Sequence, residues 1–179
     1  MVIAMIAPTG SINSFKPLSL STNRSVKEGT SVKKFVAISF DVADAGILAG
    51  GTAPGTALHL LSPDRPALVQ IADALTAAGH LFDEVHIVAH GRPGTLYLDG
   101  DALCTETLGG HADSLTRIAD GMTADGVIAL TACQVADGAA GQELLAALSA
   151  ATGRRVTGTD REVGAGDAAS FAFAATGSP

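Results

Sequence analysis

The chain has no tryptophan, one tyrosine and two cysteines among 179 residues, and lysine disappears after position 34. With so few large aromatics, a core must be built from Ala, Val, Leu and Ile. That suits alternating strands and helices better than an aromatic-rich β-sandwich. Cys104 and Cys133 could close one bridge at most, so no disulfide framework exists and free thiols are expected. No apolar run approaches the roughly 18 residues that a membrane span requires. The opening MVIAMIAPTG is apolar but short and has no basic residues before it, which makes a poor signal peptide. The compartment therefore stays open. A net charge of -7 argues against a nucleic-acid-binding surface, which would need clustered Lys and Arg.

What is present is core-forming: 47% of residues are hydrophobic and 16% charged, in a length that suits one compact domain. The charge is uneven. Residues 1 to 34 carry Lys16, Arg24, Lys27, Lys33 and Lys34 against Glu28 alone, whereas the remainder holds six arginines and seventeen acids. Residues 1–34 thus read as a basic leader without sustained periodicity, and residues 35–176 as the domain.

Within the domain, apolar runs predict strands over Phe35 to Phe40, Thr56 to Leu61 and Glu84 to Ala89, and over the segment DGVIALTAC. RRVTGTD and SFAFAA predict two more. Helices are expected over Ala43 to Ala49, Pro63 to Ala78, Leu108 to Asp120 and Gly138 to Thr152. The second has Leu68, Ile71, Ala72 and Leu75 at helical spacing and Pro66 in its first turn. GTLYLDGDAL alternates about Asp99-Gly100, a hairpin signal. Continuous apolar strands separated by helices imply an α/β fold: a mostly parallel six-stranded sheet sandwiched between helices.

Ligands of open parallel sheets bind beyond the carboxyl ends of the strands. EVHIVAHGRPG delivers His90 from the end of the third strand, and GVIALTAC delivers Cys133 from the end of the fourth. If those strands are neighbours, imidazole and thiol share one rim. A cysteine peptidase needs that pair, because an imidazole can take the thiol proton and leave a nucleophilic thiolate. The helix from Gly138 would bring its positive dipole end near. Gly91 and Ala132 leave room for a substrate backbone, and the amides of Gly91 and Cys133 are candidate oxyanion donors. The plain alternative is a packed or surface histidine and a cysteine serving as a small hydrophobe. Cys104 falls off any strand end and reads as structural.

VHIVAHGRPGTLYL, LLSPDRPALVQIADAL and GVIALTACQVADGAAGQELLAALSAATGRRVTGTD together resemble the DUF4347 family, over roughly residues 35 to 167. That family is caspase-like, of the clan CD cysteine-peptidase type, and often stands near the start of very large bacterial surface or secreted proteins. The most specific parts are the His-Gly turn, L-x-x-C-x-V-A-x-G-x-x-G from Leu130 to Gly141, and the downstream TG-x-x-V. Many relatives have glycine where Ala132 stands here. Their Gly-Gly-Asp-Trp-like ending appears as GAGDAASFAF.

The resemblance implies a caspase-like fold with Cys133 as nucleophile and His90 as general base, no cofactor, and a secreted or cell-surface location; without it, the location would be cytoplasmic. It also implies that Asp41, Thr131 and Asp160 line the pocket for the residue before the scissile bond. Two carboxylates there would favour Arg or Lys, and the leader residues Arg24, Lys27, Lys33 and Lys34 then become self-processing sites. Solvated turn aspartates are the alternative.

Other signals are weaker. AHGRPG lacks the serine of a G-x-S-x-G elbow, and GAGDAA opens no helix as a dinucleotide loop would. DVADAGILAGG lacks the G-x-G-x-x-G spacing of a nucleotide-binding first turn. The histidines and cysteines show no metal-ligand spacing. Two readings remain: a cysteine endopeptidase acting on polypeptides, its own leader among them, or a non-catalytic module serving recognition, secretion or processing of a larger protein.

Overall fold

The structure is a computed structural model, and it describes residues 32–43, 55–98 and 100–163. The chain divides between Thr30 and Ser31 into two units, and the described residues all belong to the second. In chain order the elements are β1 (Lys34–Ile38), β2 (Ala57–Leu60), α1 (Ala67–Ala77), β3 (Phe82–Val88), β4 (His90–Arg92), β5 (Thr95–Leu98), β6 (Asp101–Leu103), a 3-10 turn (Leu108–His111), α2 (Ala112–Asp120), β7 (Met122–Thr131), α3 (Gly138–Thr152) and β8 (Arg155–Gly158).

Five strands form a wholly parallel sheet in the order β2-β1-β3-β7-β8. Side chains alternate across it. Phe35 and Ala37 of β1, Val85 and Ile87 of β3, and Ile128 and Leu130 of β7 join one cluster with Leu68, Ile71, Leu75, Leu115, Ile118, Leu144 and Leu148 of the helices. Val36, Ile38 and Val88 point the other way and pack with Val42 and Leu58. Strands buried on both faces read as unbroken apolar runs, which is why β1 and β3 were legible in the sequence.

The sequence predicts helices on both faces, but α1, α2 and α3 share one. Right-handed crossovers explain this: β2 to β3, β3 to β7 and β7 to β8 all advance in the same direction across the sheet. Only the β1-to-β2 connection runs the other way. The helix expected there, and the strand expected over SFAFAA, lie outside the described residues apart from Ala43, which is in a turn.

Three boundaries moved. Pro66 caps α1 from outside, and the loop before it is fastened by buried Gln70, whose side chain bonds Ser62 N (2.9 Å), Ser62 O (2.8 Å) and Arg65 O (2.7 Å). β7 begins at Met122, paired with Phe82 ahead of an irregularity that the TADG stretch disguised. β1 begins at Lys34, one residue inside the expected leader, because Lys34 Nζ pairs with Glu84 at 3.0 Å. The expected hairpin is three-stranded: β4 adds to β5 and β6 through the two-residue turn Pro93-Gly94, with Gly94 at φ +72°. α3 has the predicted span and ends on Gly153 at φ 63°, ψ 18°, the left-handed stop that glycine favours.

Candidate active site

The order β2-β1-β3-β7-β8 reverses direction between β1 and β3, which opens a crevice beyond their carboxyl ends. β3 and β7 are neighbours, with Val88 opposite Thr131 as the last paired residues. The Ala89 amide then donates to Thr131 O at 3.2 Å. His90 and Cys133 each lie two residues beyond that shared rung, so the parallel register carries both to the same rim.

The rim is tightly built. A Cβ added at Gly91 would lie 2.7 Å from Ala132 Cβ and 3.2 Å from Cys133 O. The Gly94 amide donates to Val135 O at 3.2 Å, and Gly94 rests against Ala140 in the first turn of α3. Behind the cysteine, Val135 and Ala136 are buried, Gly138 takes φ +63°, and a Cβ at Gly141 would fall 2.2 Å from the Ala136 carbonyl carbon. The V-A-x-G-x-x-G spacing is thus a packing requirement: it brings the start of α3 close under the cysteine turn. Gln134, directly after Cys133, has φ 53°, an uncommon left-handed conformation for a residue with a side chain.

His90 is exposed, and its Nε2 lies 3.1 Å from the carbonyl oxygen of Asp41 in the turn after β1. A carbonyl only accepts, so Nε2–H is the donor of this contact and Nδ1 is the ring nitrogen outside it. Cys133 is part-buried; its thiol donates to Val163 O at 3.5 Å and accepts from Val163 N at 3.4 Å. Among the described residues no hydrogen bond joins His90 to Cys133: the imidazole leans towards β1 and the thiol towards the segment after β8. The Cys133 amide has no acceptor among the described residues. Alternation of antiparallel rungs from the two-residue turn directs the Gly91 amide away from β5.

The three pocket residues come from the ends of three different strands. Asp41 is exposed beside His90, where its carboxylate accepts from Ser39 Oγ at 2.6 Å and its carbonyl holds the imidazole. Thr131 is buried at the end of β7. Asp160 is exposed two residues past β8, next to Arg161, whose carbonyl accepts from the Gln134 amide at 2.9 Å. Asp41 thus follows β1 and Asp160 follows β8, with β3 and β7 between those strands.

Lys33 and Lys34 are held at the start of β1. Lys33 O accepts from Asp83 N (2.9 Å) and Glu84 N (3.2 Å), Lys33 N reaches the Asp83 carboxylate (2.9 Å), and Lys34 is inside the sheet at the end opposite the rim. Arg24 and Lys27 lie outside the described residues. Cys104 is a free thiol whose carbonyl accepts from Thr107 N and Leu108 N at 3.1 Å, a structural place. Among the described residues no cluster of His, Cys, Asp and Glu is placed to hold a metal, and no helix is long and apolar enough to cross a membrane.

Sequence reasoning missed the Asp41 carbonyl, Gln134, Thr159 and Val163. Three of them act through the backbone, and Thr159, whose hydroxyl donates to Ala132 O and accepts from Ala132 N, carries no motif.

The family model described as "Domain of unknown function (DUF4347)" matches residues 35–170. No curated protein matches the chain. Among solved structures, the chain is similar to "a small-chain dehydrogenase" at 13% identity, covering 79% of this chain and 88% of that one with a TM-score of 0.41.

Proposed function

The chain belongs to the DUF4347 family, and from that premise we propose that it is a caspase-like cysteine endopeptidase with a His90–Cys133 dyad. The observation that carries the reading is the shared β3–β7 register, which delivers both residues to one rim two positions past Val88 and Thr131. Cys133 Sγ attacks the peptide carbonyl carbon while its proton passes to His90 Nδ1. The Asp41 carbonyl steadies the imidazole through Nε2–H. The amides of Cys133 and Gly91 face the oxygen that gains charge. His90 returns the proton to the leaving amine as the C–N bond breaks, and water then hydrolyses the thioester. No step requires a metal or cofactor.

Asp41 after β1 and Asp160 after β8, both exposed, favour substrates with Arg or Lys beside the scissile bond. Placement outside the cell follows from the proposed family type. The test is hydrolysis of a fluorogenic peptide library by the full chain: cleavage after basic residues that disappears in Cys133→Ala and falls about 10²- to 10⁴-fold in His90→Ala supports the reading. Turnover that survives Cys133→Ala removes it.

One observation favours the second reading, a non-catalytic caspase-like module for recognition, secretion or processing. His90 and Cys133 each bond elsewhere and not to one another. A chain that binds peptides yet hydrolyses none across that library fits the module.

A further inference from the structure

Beyond β8 the chain turns back along the cysteine loop. The Ala136 amide donates to Thr159 O at 2.9 Å and the Gln134 amide to Arg161 O at 2.9 Å. Val163 meets the thiol itself, with its N–H 3.4 Å and its carbonyl oxygen 3.5 Å from Cys133 Sγ. Positions fall by two on one strand as they rise by two on the other, so residues 159–163 run antiparallel to 132–136. The base of the segment is fixed by the Thr159 hydroxyl, which donates to Ala132 O and accepts from Ala132 N at 3.3 Å. The unusual φ of Gln134 belongs to the same arrangement, because its amide supplies one of these bonds.

We propose that Arg161–Val163 is a strap that caps Cys133 in the resting chain and is displaced by an extended polypeptide entering the site. The inference rests on the peptidase reading in one respect, that the capped thiol is a nucleophile. Val163 occupies both polar approaches to Sγ with its own peptide groups, the position a substrate backbone must take. The strap is graded along its length. Its inner bonds, at Thr159 and Arg161, are ordinary N–H···O contacts, whereas the outer two involve sulfur, a weak donor and acceptor. It therefore peels from the Val163 end with Thr159 as the fixed point, and uncovering the thiol leaves the cysteine loop intact.

The test is the alkylation rate of each cysteine in the full chain, measured with iodoacetamide and read by peptide mass spectrometry. Cys133 is expected to react about tenfold more slowly than in the urea-unfolded chain, because the strap must open locally before the thiol is reached. Val163→Pro, which removes the N–H at the sulfur, should accelerate Cys133 about fivefold while Cys104 keeps its rate as an internal standard. Two glycines inserted after Glu162 shift Val163 off the thiol without touching Thr159 or Arg161, and should do the same if the proline variant fails to fold. Equal Cys133 rates in the native chain and a folded strap variant overturn the proposal. The same variants are assayed on a peptide with Arg before the scissile bond: faster alkylation without hydrolysis leaves the strap standing and removes the peptidase reading.

Discussion

Gly91→Ala asks whether the histidine turn and the cysteine loop are one rigid unit. The added Cβ would stand 2.7 Å from Ala132 Cβ, where unbonded carbons settle at about 3.5–4.0 Å. Its other neighbours are the carbonyl oxygens of Cys133 at 3.2 Å and Thr95 at 3.3 Å, so no flexible side-chain end can yield. Overpacking of this kind costs about 1–3 kcal/mol. In a chain of this length that lowers Tm by about 2–4 °C per kcal/mol. The larger effect should be on chemistry, because relief moves His90 relative to Cys133, and a displacement near 1 Å can cost on the order of 10²-fold in rate. Gly109→Ala is the control: nothing lies within 4 Å of its added Cβ. Thermal melts by circular dichroism and peptide hydrolysis should separate the two variants. Should Gly91→Ala melt with Gly109→Ala and keep its activity, the close packing of the rim is not what positions the pair.

Acid should destabilise the domain in two stages. Burial holds the His86 imidazole below its ordinary 6.5 despite the Glu84 carboxylate, so the folded state resists a proton that the unfolded chain accepts; stability present above about pH 6.5 falls as pH drops below it. Burial pushes the Glu84 carboxyl up, but hydrogen bonds from His86 and Lys34 outweigh it and hold the group below 4.5, so its contribution is lost only as pH falls further. At neutral pH the 3.0 Å His86–Glu84 contact is thus a neutral imidazole N–H donating to a carboxylate. Urea midpoints should decline between about pH 7.5 and 5.5 in the native chain and not in His86→Gln; an unchanged decline contradicts the assignment. For specificity, Asp41→Asn and Asp160→Asn should each lower kcat/KM for Arg-containing peptides relative to the leucine analogue, by about tenfold for the carboxylate that meets the side chain. Parallel losses on both peptides would make the two residues structural.

Much of the fold was readable because burial leaves a pattern. Phe35 to Ile38 is apolar on both faces and could only be an internal strand, and α3 from Gly138 to Thr152 ends on the glycine that a left-handed stop favours. β4 was not readable, since His90-Gly91-Arg92 is three residues long and pairs only because the Pro93-Gly94 turn returns β5 against it. Of the site, the two side chains were visible at strand ends. Their surroundings were not: the Asp41 carbonyl, the Arg161 carbonyl and the Val163 peptide groups contribute main-chain atoms that any residue could supply. Composition likewise could not show that Asp41 follows β1 and Asp160 follows β8 with two strands between, because that depends on the strand order.

The central claim is that Cys133 is a nucleophile served by His90. A peptidyl ketone probe with Arg at the position next to the reactive group, applied to the native full chain and mapped by mass spectrometry, tests it most directly. The account predicts stoichiometric modification of Cys133, faster than the same probe labels glutathione, sparing Cys104 and lost in His90→Ala. Labelling that is no faster than glutathione, or undiminished in His90→Ala, contradicts it.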